Sequence, residues 1–408
     1  MNWFLILFAI FFAAEHILEY CLTFLNLRFV RQHEKEVPSY FRDKITLEEY
    51  QKSIRYTRDR AKLEIISSLA GIPVLWAMML SGFWVRSLGH SSIVTGLIYF
   101  AVMSALFYLI SLPFSLYSTF VIEQRYGFNK VTLKIWVTDL AKGLLLSMVI
   151  GIPVLSAVLW FMDRYTNSLW WLYVWILLAA VQLFVTSLFP VFVVPLFNKL
   201  TPLEEGALKE KIRALAQKVN FKMSGIFTMD GSKRSTHSNA FFAGMGKFRR
   251  IVLFDTLVKS LSESELLAVL AHEIGHNIKK HVRKGLLLSL AGSLLGLYIL
   301  SLMIRAPWFY EAFGFQTPSS YAALFIFVKT SGSFLFLLEP LFSLLSRKHE
   351  YQADRFAAEA LGTAEPMIGG LVKLTKDNLS NLTPHPLYSF FYYSHPTVME
   401  RITALEKT

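Results

Sequence analysis

The sequence predicts a multi-pass α-helical membrane protein whose run of spans is interrupted by a mixed α+β unit, and three observations predict it. Of the 408 residues, 54% are hydrophobic and only 17% charged, with a mean hydropathy of +0.44, too apolar for a soluble chain of this size. Seven segments, near 3–26, 63–85, 92–122, 142–162, 169–197, 284–304 and 321–345, are long enough to cross roughly 30 Å of hydrocarbon. After the fifth segment the pattern changes to an amphipathic stretch followed by short β-like runs.

The first segment is too long for a cleavable signal; Glu15, His16 and Glu19 interrupt it and no small-residue cleavage site follows. Pro113, Pro153, Pro190, Pro195 and Pro340 lie inside or at the ends of spans and are expected to kink them. Charge bias orients the set. The loop 27–62 carries ten Lys and Arg, and the loop 123–141 holds Arg125, Lys130 and Lys134. The loops near 86–91, 163–168 and 305–320 have one Arg each. Positive loops stay in the cytoplasm, so the N-terminus is expected outside or lumenal, and 199–283 and 346–408 both inside. Glu15, His16, Glu19, Lys329 and Glu339 fall where lipid should be. Pairing near an interface would accommodate Glu15 and His16, but five such groups favour a hydrated interior cavity.

The stretch after the fifth span reads as a helix over Pro202–Val219, then β-runs at 225–230, 239–243 and 250–255, with Gly244-Met-Gly246 as a hairpin turn. A free strand edge there can pair with an extended peptide. The net charge of +12 is explained by cytoplasmic loops facing anionic lipid. No basic run carries the aromatic interleaving of a nucleic-acid platform, which excludes nucleic acid as a partner. Cys21 is the single cysteine; it excludes a disulfide framework and a thiolate metal site and is expected to be a small buried hydrophobe.

Residues 272–276 read His-Glu-Ile-Gly-His. On a helix, His272 and His276 stand one turn apart on one face, so both imidazoles can reach one metal ion. Glu273 is placed to take a proton from a metal-bound water. The capping box Ser262-Glu-Ser-Glu265 starts that helix, an apolar face of Leu266, Leu267, Val269 and Leu270 follows, and Lys279 to Arg283 close it. A hydrolytic zinc site needs a third ligand and an open position. Glu350, in Arg347-Lys-His-Glu-Tyr-Gln-Ala-Asp354, is the natural choice, and Asp354 one turn on can receive the second N–H of a ligand imidazole. Flanking Lys348 and Arg355 on a solvated helix would be the bland alternative for both carboxylates.

These blocks, with Tyr117-Ser-Thr-Phe-Val-Ile-Glu-Gln-Arg-Tyr-Gly-Phe-Asn-Lys130, Asp230-Gly-Ser-Lys-Arg-Ser-Thr-His-Ser-Asn239, Lys247 to Leu257 and Tyr393-Ser-His-Pro-Thr-Val-Met-Glu-Arg401, resemble the integral-membrane zinc endopeptidases typified by CaaX prenyl protease 1. The resemblance covers essentially the whole chain; the shorter HtpX-like chains fit less well. It implies seven transmembrane helices enclosing a water-filled chamber, closed on the cytoplasmic side by a zincin-type (gluzincin) α+β catalytic domain. That domain would be split in sequence: spans one to five and their loops in 1–198, its first part in 199–283, spans six and seven in 284–345, its second part in 346–408. The resemblance further implies one zinc per chain on His272, His276 and Glu350, Glu273 as general base, and His395 and Asn239 close to the scissile bond. Departures are Phe221-Lys-Met for Phe-Pro-Leu, and Phe241 after Ala240 where Tyr is common; neither touches a ligand.

The expected activity is cleavage near the C-terminus of lipidated, CaaX-type prenylated or membrane-associated proteins, by a monomer in a bacterial inner membrane or the endoplasmic reticulum. The alternatives are an HtpX-type quality-control protease and a transporter with structural zinc. The second needs a fourth protein ligand, and neither Asn277 nor His281 supplies an obvious one; paired broken helices are also lacking.

Overall fold

The computed structural model describes residues 2–83, 92–243 and 249–408. In chain order, the membrane part begins with α1 (Trp3–Gln32), α2 (Leu47–Met79), α3 (Ser92–Tyr117), α4 (Leu133–Arg164) and α5 (Trp170–Phe192). The mixed unit follows as β1 (Leu200–Pro202), α6 (Ala207–Lys218), β2 (Gly225–Met229), β3 (Ala240–Ala243), β4 (Arg250–Phe254) and α7 (Glu263–Ile278). The chain then re-enters the apolar layer through α8 (His281–Met303) and returns along α9 (Ser320–Leu335) and α10 (Glu339–Leu361). It finishes with α11 (Glu365–Asp377), α12 (Pro386–Tyr392) and α13 (Val398–Leu405). Seven of these helical stretches are long and apolar enough to cross a membrane, in the order the hydropathy predicts.

Helices outrun the apolar segments that announce them. α2 starts at Leu47, because Thr46 and Glu49 close a reciprocal capping box around its first turn, a device that contributes about 1 kcal/mol. Its first turns are amphipathic, and Tyr50 and Ile54 are buried with Val30, Val37, Phe41 and Ile45 in one core with Leu215, Ile251, Leu270 and Ile402. The connection 27–62 is therefore not a loop: most of it is helix, and its apolar residues belong to the same core as the mixed unit. Pro73, Pro113 and Pro153 lie inside helices. Pro195 and Pro340 instead open helices, the position where a missing N–H costs nothing. Ahead of Pro340, one turn of 3-10 helix at Phe336–Leu338 joins α9 to α10.

The sheet has the order β1-β2-β4-β3. β2 and β4 run parallel with Ile226 opposite Ile251, and β1 and β3 are antiparallel additions on the two outer edges. The predicted helix from Pro202 starts late. Pro202 pairs with Phe227 in β1 and the Leu203 N–H donates to the Ile226 carbonyl, so the backbone is committed to the sheet until α6 begins. The turn predicted at Gly244–Gly246 lies outside the described residues, as does the loop near 86–91. Cys21 is exposed on α1, contrary to the expected burial.

Within the spans, His16 pairs with Glu19 at 3.0 Å, Tyr20 and Ser68 share a hydrogen bond of 3.0 Å, and the Lys329 ammonium lies 3.9 Å from the Phe107 ring centre. The pairing partner of His16 is thus Glu19, one turn away, with Glu15 as its neighbour in sequence.

Candidate metal centre

α7 is built as its sequence predicts at the start and not at the end. Ser262 and Glu265 form the capping box, and Leu266, Ala268, Val269, Leu270, Ala271 and Ile274 are buried against the core. The helix stops at Ile278, not near Arg283. Lys280 takes a left-handed conformation with φ 61°, and the chain turns there to start α8 at His281. Across from α7 lies α10, the extension of the seventh span. The two can approach closely because residue 275 is glycine: a Cβ there would sit 3.2 Å from the Ala353 Cα and 3.0 Å from the Phe356 ring.

This approach sets three donors around one point. His272 and His276 Nε2 are 3.1 Å apart, Glu350 Oε1 is 3.2 Å from His276 Nε2, and Glu350 Oε2 is 3.5 Å from His272 Nε2. His272 and Glu350 are 6% and 4% exposed. Ligands about 2.0–2.1 Å from a tetrahedral ion stand roughly 3.3–3.4 Å from one another, so the spacing fits. The protons fit as well. His272 Nδ1 is 2.8 Å from Asp354 Oδ1 and 3.4 Å from Arg401 Nη2. The shorter contact makes Nδ1–H a donor to Asp354, leaving the Nε2 lone pair to face the cluster. Glu350 Oε2 is buried and, among the described residues, accepts no hydrogen bond. Imidazole lone pairs facing a buried carboxylate oxygen that accepts no hydrogen bond call for a cation between them. Among the described residues this donor group holds three side chains, which leaves a fourth position open.

Asp354 is anchored in turn. Arg401, on α13, donates from Nε to Oδ2 at 2.8 Å and from Nη2 to Oδ1 at 2.6 Å, and its Nη1 lies 3.7 Å from Glu350 Oε2. Nothing in the local sequence assigns Arg401 this part; it follows the capping box Thr397–Glu400 like any exposed cation. His281 is the second residue the sequence does not disclose: its Nδ1 is 3.1 Å from His276 Nδ1.

Glu273 follows His272 on the helix and is largely covered. Burial pushes its carboxyl above the ordinary carboxylate range, against the opposing pull of the His272 and His276 imidazoles. His395 reaches the rim, with Nε2 3.5 Å from Glu350 Oε1 and 64% of its side chain exposed. Among the described residues, no contact brings Asn239 into the cluster. It precedes β3, its Oδ1 accepting from the Ala240 N–H and its carbonyl from the Phe254 N–H, at the edge strand that packs beside α7.

Two family models match the chain: "CAAX prenyl protease N-terminal, five membrane helices" over residues 26–199, and "Peptidase family M48" over residues 202–408. Among curated proteins, the chain is 39% identical to CAAX prenyl protease 1 of Saccharomyces cerevisiae, covering 92% of this chain and 90% of that one. It is 36% identical to the Arabidopsis thaliana homolog, with 89% and 88% covered, and 32% identical to the human homolog, with 88% and 86% covered. Among solved structures, the crystal structure of S. mikatae Ste24p superposes with a TM-score of 0.87 at 37% identity, over 100% of this chain and 99% of that one.

Proposed function

The chain belongs to the CAAX prenyl protease 1 family of M48 peptidases and is a membrane-embedded metalloendopeptidase; we propose that it uses one zinc ion held by His272, His276 and Glu350 to cut CaaX-type prenylated proteins near their C-terminus. The observation that carries the reading is the convergence of the His272 and His276 imidazoles on the buried Glu350 carboxylate, whose Oε2 accepts no hydrogen bond among the described residues, with Glu273 beside them. A bound zinc supplies Lewis acidity, lowering the pKa of a water and polarising a carbonyl.

The chain's own groups do the rest. Glu273 accepts the proton of the attacking water and delivers it to the leaving amine. Its raised affinity for a proton suits a base that must later act as an acid. Asp354, clamped by Arg401, holds His272 in the tautomer that points Nε2 inward. β3 offers a free backbone edge along which an extended peptide can lie, with Asn239 at its start and the exposed His395 at the rim near the scissile bond. A hydrated interior between the spans, holding Glu15, His16, Glu19, Lys329 and Glu339, would let a peptide reach the site from the membrane side. The site faces the cytoplasm in this proposal, which the charge of the 27–62 connection supports, and the protein acts as a monomer.

One experiment tests the proposal. Purified enzyme is given prenylated and unprenylated forms of one C-terminal peptide, in parallel with Glu273→Gln, and the cuts are mapped. Preferential cleavage of the prenylated form near its C-terminus, lost by about 10²–10⁴-fold in the variant, is expected. Equal cleavage of both peptides would remove the prenyl requirement, and an active Glu273→Gln enzyme would remove the mechanism.

A further inference from the structure

His272 has a carboxylate behind it; among the described residues, the other ligand imidazole has none. Behind His276 stands a third histidine. His281 is the first residue of α8 and is buried, 6% exposed. Its Nδ1 is 3.1 Å from His276 Nδ1, its Nε2 is 2.9 Å from Gln352 Oε1 on α10, and its ring stacks on His349 at 4.0 Å between centres with planes 12° apart. It has no ligand-set position of its own, since its two nitrogens are both engaged away from the cluster.

We propose that His281 is the positioning residue for His276, accepting the Nδ1–H of that imidazole and passing its own Nε2–H to Gln352, so that His276 is held with its Nε2 lone pair toward the metal. The proposal rests on the zinc-site reading given above. Its logic is the polarity of a three-member hydrogen-bonded chain. A neutral imidazole has one donor and one acceptor nitrogen, so the chain His276–His281–Gln352 can run in only two senses. If Gln352 donates, His281 Nδ1 must carry a proton toward His276, whose own proton then sits on Nε2 and blocks ligation. If Gln352 accepts through Oε1, His281 carries its proton on Nε2, His276 carries its proton on Nδ1, and the ligand lone pair is free. The contact of Gln352 Oε1 with His281 Nε2 is the second sense. The stack on His349 fixes the ring plane of His281, and with it the direction in which the acceptor lone pair points.

The arrangement also explains why α7 ends where it does. Had the helix run on to Arg283, His281 would lie five residues past His276 on a continuous α-helix, about 140° round its circumference and turned away from it. The left-handed turn at Lys280 returns residue 281 to the back of His276. One consequence is that the entry of the sixth span and the exit of the seventh are tied together directly behind a metal ligand.

The test uses the full-length chain, purified without metal, with Zn2+ affinity read by competition against a chelator and the melting temperature of the metal-free protein as control. His281→Phe keeps the aromatic stack and deletes the acceptor; His281→Asn keeps an acceptor atom close to the Nδ1 position. H281F is expected to bind Zn2+ about 10–100-fold more weakly, as removal of an imidazole's outer partner does elsewhere, while H281N retains most of the wild-type affinity. Unchanged affinity in H281F, or equal weakening in both variants, would overturn the proposal. Should metal-free H281F melt early, Gln352→Leu decides, one step farther from the ligand: weaker Zn2+ binding supports the relay and unchanged binding refutes it. Failure of the wild-type chain itself to bind Zn2+ would instead bring down the zinc-site reading.

Discussion

Replacing Arg401 with Met removes a charge but little volume, and the structure sets the size of the effect. Arg401 makes two short bonds to Asp354, and their side chains are only 11% and 2% exposed, so water screens this pair little. Removing one member leaves the Asp354 carboxylate buried with His272 as its remaining partner, a situation that costs about 3–5 kcal/mol. The metal-free protein should lose stability by that amount. Zn2+ affinity should fall roughly 10–100-fold as well, because an Asp354 that protonates or turns away no longer orients His272. Adding Asp354→Asn to Arg401→Met removes the orphaned charge, so the double variant should be less destabilised than the sum of the singles, with a coupling on the order of 2 kcal/mol. Unfolding of the purified variants and chelator competition for Zn2+ read the two effects. A loss below about 1 kcal/mol would mean the pair behaves like a solvated surface bridge, and additive losses would mean that Arg401 and Asp354 act independently; either result refutes the account.

Three further outcomes are expected. Glu350→Ala should reduce bound zinc from about one per chain to near none, since removing one of three ligands dismantles the site; full retention in metal analysis would exclude Glu350 as a ligand. Gly275→Ala gains about 1 kcal/mol of helix propensity but drives a methyl against the Ala353 backbone, forcing α7 and α10 apart by a few tenths of an ångström. Zinc affinity should therefore drop while the melting temperature of the metal-free protein changes little; undiminished affinity would show that the close approach does not set the ligand spacing. With Cys21 replaced, cysteine probes within 27–62 and after residue 400 should label only from the cytoplasmic side, and probes at Glu15 or Lys329 should react with water-soluble thiol reagents. Labelling of 27–62 from outside would invert the orientation, and inert interior positions would remove the hydrated cavity.

Much of this protein was determined by local properties of its sequence. Span number and order follow from length and hydropathy, because about twenty apolar residues suffice to cross the bilayer whatever they pack against. The start of α7, the shared face of His272 and His276, and the placing of Glu350 and Asp354 one turn apart follow from capping chemistry and the 3.6-residue period. Both kinds of information act within one or two turns, so a linear reading recovers them. The rest depends on which distant segments meet. Arg401 finds Asp354 across 47 residues, and His281 finds Gln352 across 71; neither partner is marked in the local pattern. The burial of Tyr50 and Ile54 in the catalytic core, the pairing of β1 with β2 and the left-handed break at Lys280 are likewise products of packing. Sequence proposed the ligands because ligand chemistry belongs to single residues and their spacing. Tertiary structure chose the groups that hold those ligands, because a hydrogen bond exists only where two chain segments come within about 3 Å of each other.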